Sequence, residues 1–250
     1  MAETESTKAS LLTAWWQGPL GQSVLVQEQQ LFQRYLPYFH GYCQLQVGVA
    51  ENLFPEMPAP KMQTIMARSG DVAGRSIALP FKCYSMDTVL LSHVLEFSTD
   101  AHQALRETER ILVGDGTLIV TVFNPWSLWG LRRLFSRKKN APWDGLFYSQ
   151  SRIKDWLSLL NFDVIETERL MFRPPIANEK WLKRTSKLDS WGQRFWPIFS
   201  GVTVIVATKR TIPLTPVEQR WKTKQFFPIG KLVTKPVTRE NIDGTSSKHI

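Results

Sequence analysis

Cysteine is nearly missing from this 250-residue chain. Cys43 and Cys83 lie far apart, and neither belongs to a CxxC pair or sits near clustered histidines, so neither a disulfide framework nor a zinc site is expected. Long apolar runs are missing as well, since none approaches the ~18 residues of a spanning helix. Residues 1–10 carry Glu3 and Glu5 and lack a basic region followed by an apolar stretch, which argues against a secretory signal. No internal repeat is visible. These absences point to a soluble chain, at most peripheral to a membrane, in the reducing cytoplasm.

What is present is ordinary globular material, with 43% hydrophobic and 21% charged residues, enough for one α/β domain with appendages. The unusual bulk value is a formal charge of +9, and its placement decides what it can mean. From Lys209 to Ile250 there are nine basic and three acidic residues, so most of the excess lies at the end. The expected organisation is a helical extension over 1–40, a main domain over 41–210, and a basic tail over 211–250 whose prolines and lost periodicity predict disorder.

Along the chain, a tryptophan pair (Trp15, Trp16) and a turn at Gly18–Gly21 precede a helical stripe of Val24, Gln27, Leu31, Tyr35 and Phe39. Tyr42–Gly48, Met62–Ala67 and the short Ser76–Leu79 read as strands. Asp87–Val94 is near-continuously apolar, as a strand covered on both faces should be. Asp100 with Gln103 three residues on offers a capping box, and Ala101, Leu105, Thr108, Ile111 and Leu112 form one helical face. Gly114-Asp115-Gly116 reads as a break before a buried strand over Thr117–Phe123. This strand, helix and strand make a right-handed parallel βαβ crossover. Further on, a helix is expected over Ser151–Leu160, an edge strand over Phe162–Phe172, and a last strand over Val202–Thr208.

Leu79-Pro80-Phe81, then Asp87, Val94-Leu95, Asp100, Ala104-Leu105-Arg106-Glu107, Arg110-Ile111-Leu112 and Gly114-Asp115-Gly116 resemble the pattern of class I S-adenosylmethionine-dependent methyltransferases. Trp15-Trp16, Pro19-Leu20-Gly21, Leu45-Gln46-Val47-Gly48, His93 to Phe97, Phe123 to Arg132, Asp155-Trp156-Leu157 and Ala207 to Arg210 are similar to a bacterial, type 11-like branch of that superfamily. The resemblance implies a Rossmann-like α/β fold, a mostly parallel seven-stranded sheet whose last strand is antiparallel. It also implies S-adenosyl-L-methionine as cofactor, an unidentified methyl acceptor as partner, and ligands at the carboxyl ends of the strands.

The sequence departs from the family where the cofactor binds. Such proteins carry a glycine-rich loop after the first strand, preceded by an acid. Here Gly48 is kept, Ala50 and Asn52 stand where further glycines are usual, and Gln46 replaces the acid. The acid that usually ends the second strand is replaced by Ala67-Arg68-Ser69, with Asp71 four residues past Ala67. Ala78 and Leu79 either wall an adenine or form a plain turn. The implied cofactor-binding residues are therefore Gln46, Gly48, Ala50, Arg68, Ala78, Leu79 and His93.

His93, Glu96 and Asn124 are the candidate catalytic residues. Methyl transfer is an in-line displacement that needs alignment and, for some acceptors, a base. His93 at a strand edge with Glu96 nearby suits that work, or it caps the strand. Asn124 lines the pocket or caps a turn, and His102 faces solvent or packs at its helix start. Trp126, Leu128, Trp129, Leu131, Leu134 and Phe135 with Arg132, Arg133, Arg137, Lys138 and Lys139 make a basic, aromatic segment. Residues 126–139 fit an anionic membrane surface, a lid, a polyanion contact shared with the tail, or an ordinary packed helix. Two functions stay open: a methyltransferase, or a non-catalytic methyltransferase-like binding module with weak or altered cofactor binding.

Overall fold

The computed structural model describes residues 12–57, 62–67, 70–136, 142–176, 192 and 196–211. Residues 212–250, and with them nearly all of the expected tail, lie outside the described residues, as do Arg68, Arg137, Lys138, Lys139, Trp181 and Trp191.

The strands are β1 (Cys43–Val47), β2 (Met62–Met66), β3 (Met86–Ser92), β4 (Leu112–Phe123), β5 (Phe162–Leu170) and β6 (Val202–Lys209), in the spatial order β2-β1-β3-β4-β6-β5. β1, β2, β3 and β4 pair in parallel, whereas β6 runs antiparallel to both β4 and β5. After a helical stretch at 12–16, the longer helices among the described residues are α1 (Pro19–Arg34), α2 (Ala101–Ile111), α3 (Leu128–Phe135) and α4 (Gln150–Leu159).

Alternation along the strands divides the core into two layers. On one face Leu45, Val47, Val89, Leu91, Leu118, Val120, Ile205 and Ala207 pack against Ala104, Leu105 and Ile111 of α2 and Ile153 and Leu157 of α4. On the other, Leu90, Ile119, Phe123, Val204 and Val206 pack against Val24, Leu31 and Phe32 of α1 and Trp129 of α3. The N-terminal helix is therefore one of the covering layers of the sheet. Asp100 caps α2 by accepting the Gln103 N–H at 3.0 Å, as the sequence pattern requires. No helix among the described residues is long and apolar enough to cross a membrane.

Three expectations are corrected. The sheet has six strands among the described residues, because Ser76–Leu79 forms only an isolated bridge between Arg75 and Ala78. Its backbone groups are taken by side chains of α2: the Glu107 carboxylate accepts the Leu79 N–H at 2.9 Å, and Arg110 donates to the Leu79 carbonyl at 3.0 Å and the Phe81 carbonyl at 2.9 Å. Second, Gly114-Asp115-Gly116 does not interrupt β4, which starts at Leu112; the extra residues are absorbed as a register shift opposite Met86 and Thr88, with Asp115 at φ 60°. Third, the expected turn at Gly18–Gly21 shortens to Gln17 and Gly18, where the Gly18 N–H reaches the Trp15 carbonyl at 3.0 Å, and Pro19, Leu20 and Gly21 already belong to α1, since proline suits the first helical turn. The helix ends at Arg34 and a 3-10 turn follows at Leu36–Tyr38, because Pro37 cannot continue the ladder.

Leu105 is fully buried between α2 and the sheet, so Leu105→Ala should cost about 2–5 kcal/mol. In urea unfolding this lowers the midpoint and leaves the slope unchanged.

Candidate active site

The chain turns sharply where β1 ends. Gly48 has φ +114°, and a Cβ there would lie 2.1 Å from the Ser92 carbonyl oxygen, so only glycine lets the loop pass this close to β3. The rest of the loop is braced from beneath. The buried Gln46 amide donates to the Val49 carbonyl at 2.8 Å and the Glu51 carbonyl at 2.7 Å, and its oxygen accepts the Leu53 N–H at 3.0 Å. Gln46 thus holds the loop backbone in place of the missing glycines, and its polar atoms are spent on that task.

Above the loop lies a cleft of about 480 Å³ at the carboxyl edge of the parallel strands. Val47, Gly48, Val49, Ala50 and Glu51 form its β1 side, Met66, Ala67, Ala73, Gly74 and Ser76 its β2 side, and Ser92, His93, Val94, Phe97 and Ser98 its β3 side. Leu12, Thr13 and Trp16 roof it. The buried Ser92 hydroxyl has no protein partner, and the hydroxyls of Ser76 and Ser98 lie 3.3 Å apart on the rim. The carboxylate among the lining residues is that of Glu51.

His93 follows β3 in the left-handed region at φ 51°, its N–H held by the Thr121 carbonyl at 3.1 Å. The buried ring lies between Trp16 and Phe123, with centroids 5.1 and 4.1 Å away. Its Nε2 is 2.8 Å from Glu28 Oε1 on α1, and its Nδ1 is 3.0 Å from Glu96 Oε1. The same Glu96 oxygen accepts the Phe123 N–H at 2.6 Å. Burial on its own would lower the His93 pKa, but the charge and hydrogen bonds of Glu28 and Glu96 outweigh it and raise it from 6.5 to about 9. At neutral pH the ring is an imidazolium donating from both nitrogens. It has no lone pair with which to take a proton from an acceptor.

The predicted residues are therefore only partly brought together. Gly48, Ala50 and His93 line the cleft, whereas Gln46 supports it from below. Ala78 is exposed and Leu79 is buried against α2, and neither lines the cleft, whose wall there is made by Ala73, Gly74 and Ser76. Asp71 accepts the Ile65 N–H at 2.8 Å and is not a lining residue. The Asn124 amide donates to the Ile198 and Ser200 carbonyls at 2.7 and 3.0 Å, and its oxygen accepts the Trp126 N–H at 3.1 Å, the turn-capping alternative. His102 is exposed and packs on Trp156 at 4.0 Å.

Sequence reasoning missed Glu28 and Glu51; it gave the roof to the N-terminal helix without singling out Trp16. For Glu28 the signal was present: it stands four residues after Val24 and three before Leu31, an acid on the apolar stripe of its helix.

Two outcomes follow. Because folding raises the His93 pKa, the resulting stability is complete below pH ~6.5 and is lost as pH rises through about 9. Urea unfolding from pH 6 to 10 should show wild type losing on the order of 3 kcal/mol relative to His93→Gln across that window. A Gly48→Ala chain must displace the β1 loop from Ser92, so it should be destabilised by about 1–3 kcal/mol, read as a lowered urea midpoint.

Residues 46–120 match the family described as methyltransferase domain. The chain is 33% identical over 217 residues to the uncharacterized protein YafS of Escherichia coli K12, covering 84% of this chain and 82% of that one. It is 32% identical over 109 residues to a malonyl-[acyl-carrier protein] O-methyltransferase of Coxiella burnetii, covering 42% of this chain and 37% of that one. A solved methyltransferase from Thermotoga maritima has the same fold, with a TM-score of 0.56 at 19% identity over 79% of this chain and 94% of that one. The chain belongs to the class I S-adenosylmethionine-dependent methyltransferase superfamily, and S-adenosyl-L-methionine is the cofactor this membership implies.

Proposed function

We propose that the chain is an S-adenosylmethionine-dependent methyltransferase that holds its cofactor in the roofed cleft over β1, β2 and β3. The observation that carries this reading is the glycine-only approach at Gly48, which brings backbone to the cleft floor where the superfamily binds its cofactor. Glu51 suits the cationic amino-acid end of the ligand. Ser76 and Ser98 offer hydroxyls at the opposite rim, and the unpartnered Ser92 hydroxyl is available to a bound polar group.

When bound, the cofactor supplies a methyl group activated by a sulfonium. The chain's own part is alignment and exclusion of water: Trp16 roofs the cleft, and α1 is fixed to the strand edge through Glu28 and His93. On this reading His93, Glu28 and Glu96 are positioning residues. An acceptor that must lose a proton then reaches the cleft already deprotonated or gives the proton to water, because His93 donates at both nitrogens. Cytoplasmic residence agrees with the free thiols of Cys43 and Cys83.

A second reading, a binding module with weak cofactor affinity, is favoured by one specific observation. The two acids usual in the family are absent: Gln46 is committed to the loop, and Asp71 is committed to the Ile65 N–H.

Calorimetric titration of the purified chain with S-adenosylmethionine and S-adenosylhomocysteine tests both. Saturable binding is expected, with Glu51→Gln weakening it by roughly tenfold through loss of a charge-assisted hydrogen bond. No heat at millimolar ligand would remove the enzyme reading.

A further inference from the structure

A second pocket of about 320 Å³ lies on the same edge of the sheet, at the ends of β4, β5 and β6. It contains Lys154 and Arg169, and among the described residues no carboxylate lines it. Lys154 has no hydrogen-bond or ion-pair partner among the described residues, and Arg169 bonds the neutral Gln150 amide at 2.9 Å. Ser149 and Ser151, at the start of α4, add hydroxyls to the same wall. This is a small cationic, hydrogen-bonding recess.

Its surroundings are apolar and exposed. Trp126 and Ile198 stand on its rim with 69% and 63% of their surface in solvent. From Trp126 the chain enters α3, which is turned inside out for a surface helix. Leu128, Leu131 and Phe135, at spacings of three and four, face water, while Trp129 and Gly130 face the core. Leu134 and Phe199 are exposed as well. The basic residues of this helix do not compensate: Arg132 lies over the Trp143 ring and bonds the Pro175 carbonyl, and Arg133 lies over Phe147. A set of large apolar side chains this size on a monomer's surface marks an interaction site.

We propose that this face docks on an anionic phospholipid bilayer, with Lys154 and Arg169 receiving a lipid phosphate and Trp126, Leu128, Leu131, Phe135 and Ile198 entering the headgroup and acyl boundary. The charge is complementary to acidic headgroups, and the apolar collar suits the interface. A free phosphate needs the cations but has no use for the collar, and a polyanion such as RNA needs a broad basic surface rather than leucines. The inference does not depend on methyl transfer.

The full chain is tested by co-sedimentation with vesicles of phosphatidylcholine alone and of equimolar phosphatidylcholine and phosphatidylglycerol. Binding is expected to the mixed vesicles and not to phosphatidylcholine alone. Lys154→Gln with Arg169→Gln should lower partitioning by about 30-fold, from roughly 1 kcal/mol for each cation. Leu131→Ser with Phe135→Ser, 48% and 77% exposed and shown to stay folded by a urea unfolding free energy within about 1 kcal/mol of wild type, should lower it roughly tenfold or more. Three results would each overturn the proposal: no binding to the mixed vesicles, equal binding to both, or wild-type partitioning by both double variants, which assigns the attraction to other basic residues. Saturable binding of inorganic phosphate that is lost in the Lys154/Arg169 variant, with no vesicle binding, would overturn it in favour of a soluble anion.

Discussion

A single histidine bonded to two buried carboxylates organises the ligand side of this molecule. Glu28 comes from the covering helix α1, while His93 and Glu96 come from the end of β3, so the pair of contacts ties a helix to a strand edge across the core. Buried ions lose several kcal/mol of hydration each, and here one oxygen of Glu28 and one of Glu96 remain without a partner. An apolar replacement of similar volume could pack as stably. What apolar packing lacks is direction: the two hydrogen bonds permit one placement of α1, and with it of Trp16, over the cleft.

The parallel half of the sheet was legible because its causes are local. Near-continuous apolar runs in β3 and β4 and a period of 3.6 in α2, with the Asp100 cap, fix the central crossover without help from distant residues. That Ser76–Leu79 forms no strand was not legible, because the competitor for the Leu79 backbone is a carboxylate and guanidinium 28 and 31 residues away. In the site, glycine at position 48 could be read from the type of residue alone. Gln46 could not, since its amide oxygen and nitrogen serve the loop that follows rather than a ligand. His102 took the plainer of the alternatives weighed for it, while Asn124 meets both of its own, capping the turn at Trp126 and lining the pocket at the ends of β4, β5 and β6. Glu28 was readable as an anomaly, an acid where the stripe calls for an apolar residue, yet its partner comes from a strand 65 residues on.

Along the carboxyl edge of the sheet the two halves differ in chemistry. The β1, β2 and β3 side is roofed by Leu12, Thr13 and Trp16 and, among the described residues, carries a carboxylate at Glu51 and no cation besides His93. The β4, β5 and β6 side is cationic and flanked by aromatic and aliphatic groups. Phe123 sits between them, its ring against His93 on one side and stacked with Trp129 on the other at 5.5 Å. This aromatic partition joins the roof to α3, so the inverted helix and the cleft share one packed foundation.

The bracing of the β1 loop by Gln46 relocates the loop's sequence requirements. Where a run of glycines shapes such a turn, every position in it is constrained by backbone conformation. Here one side chain binds the backbone of Val49, Glu51 and Leu53 together, so the constraint gathers at position 46 and position 50 is released to vary. A fingerprint built on spaced glycines passes over a turn made this way. Chains that share its construction are better sought by a buried amide two residues before a lone glycine.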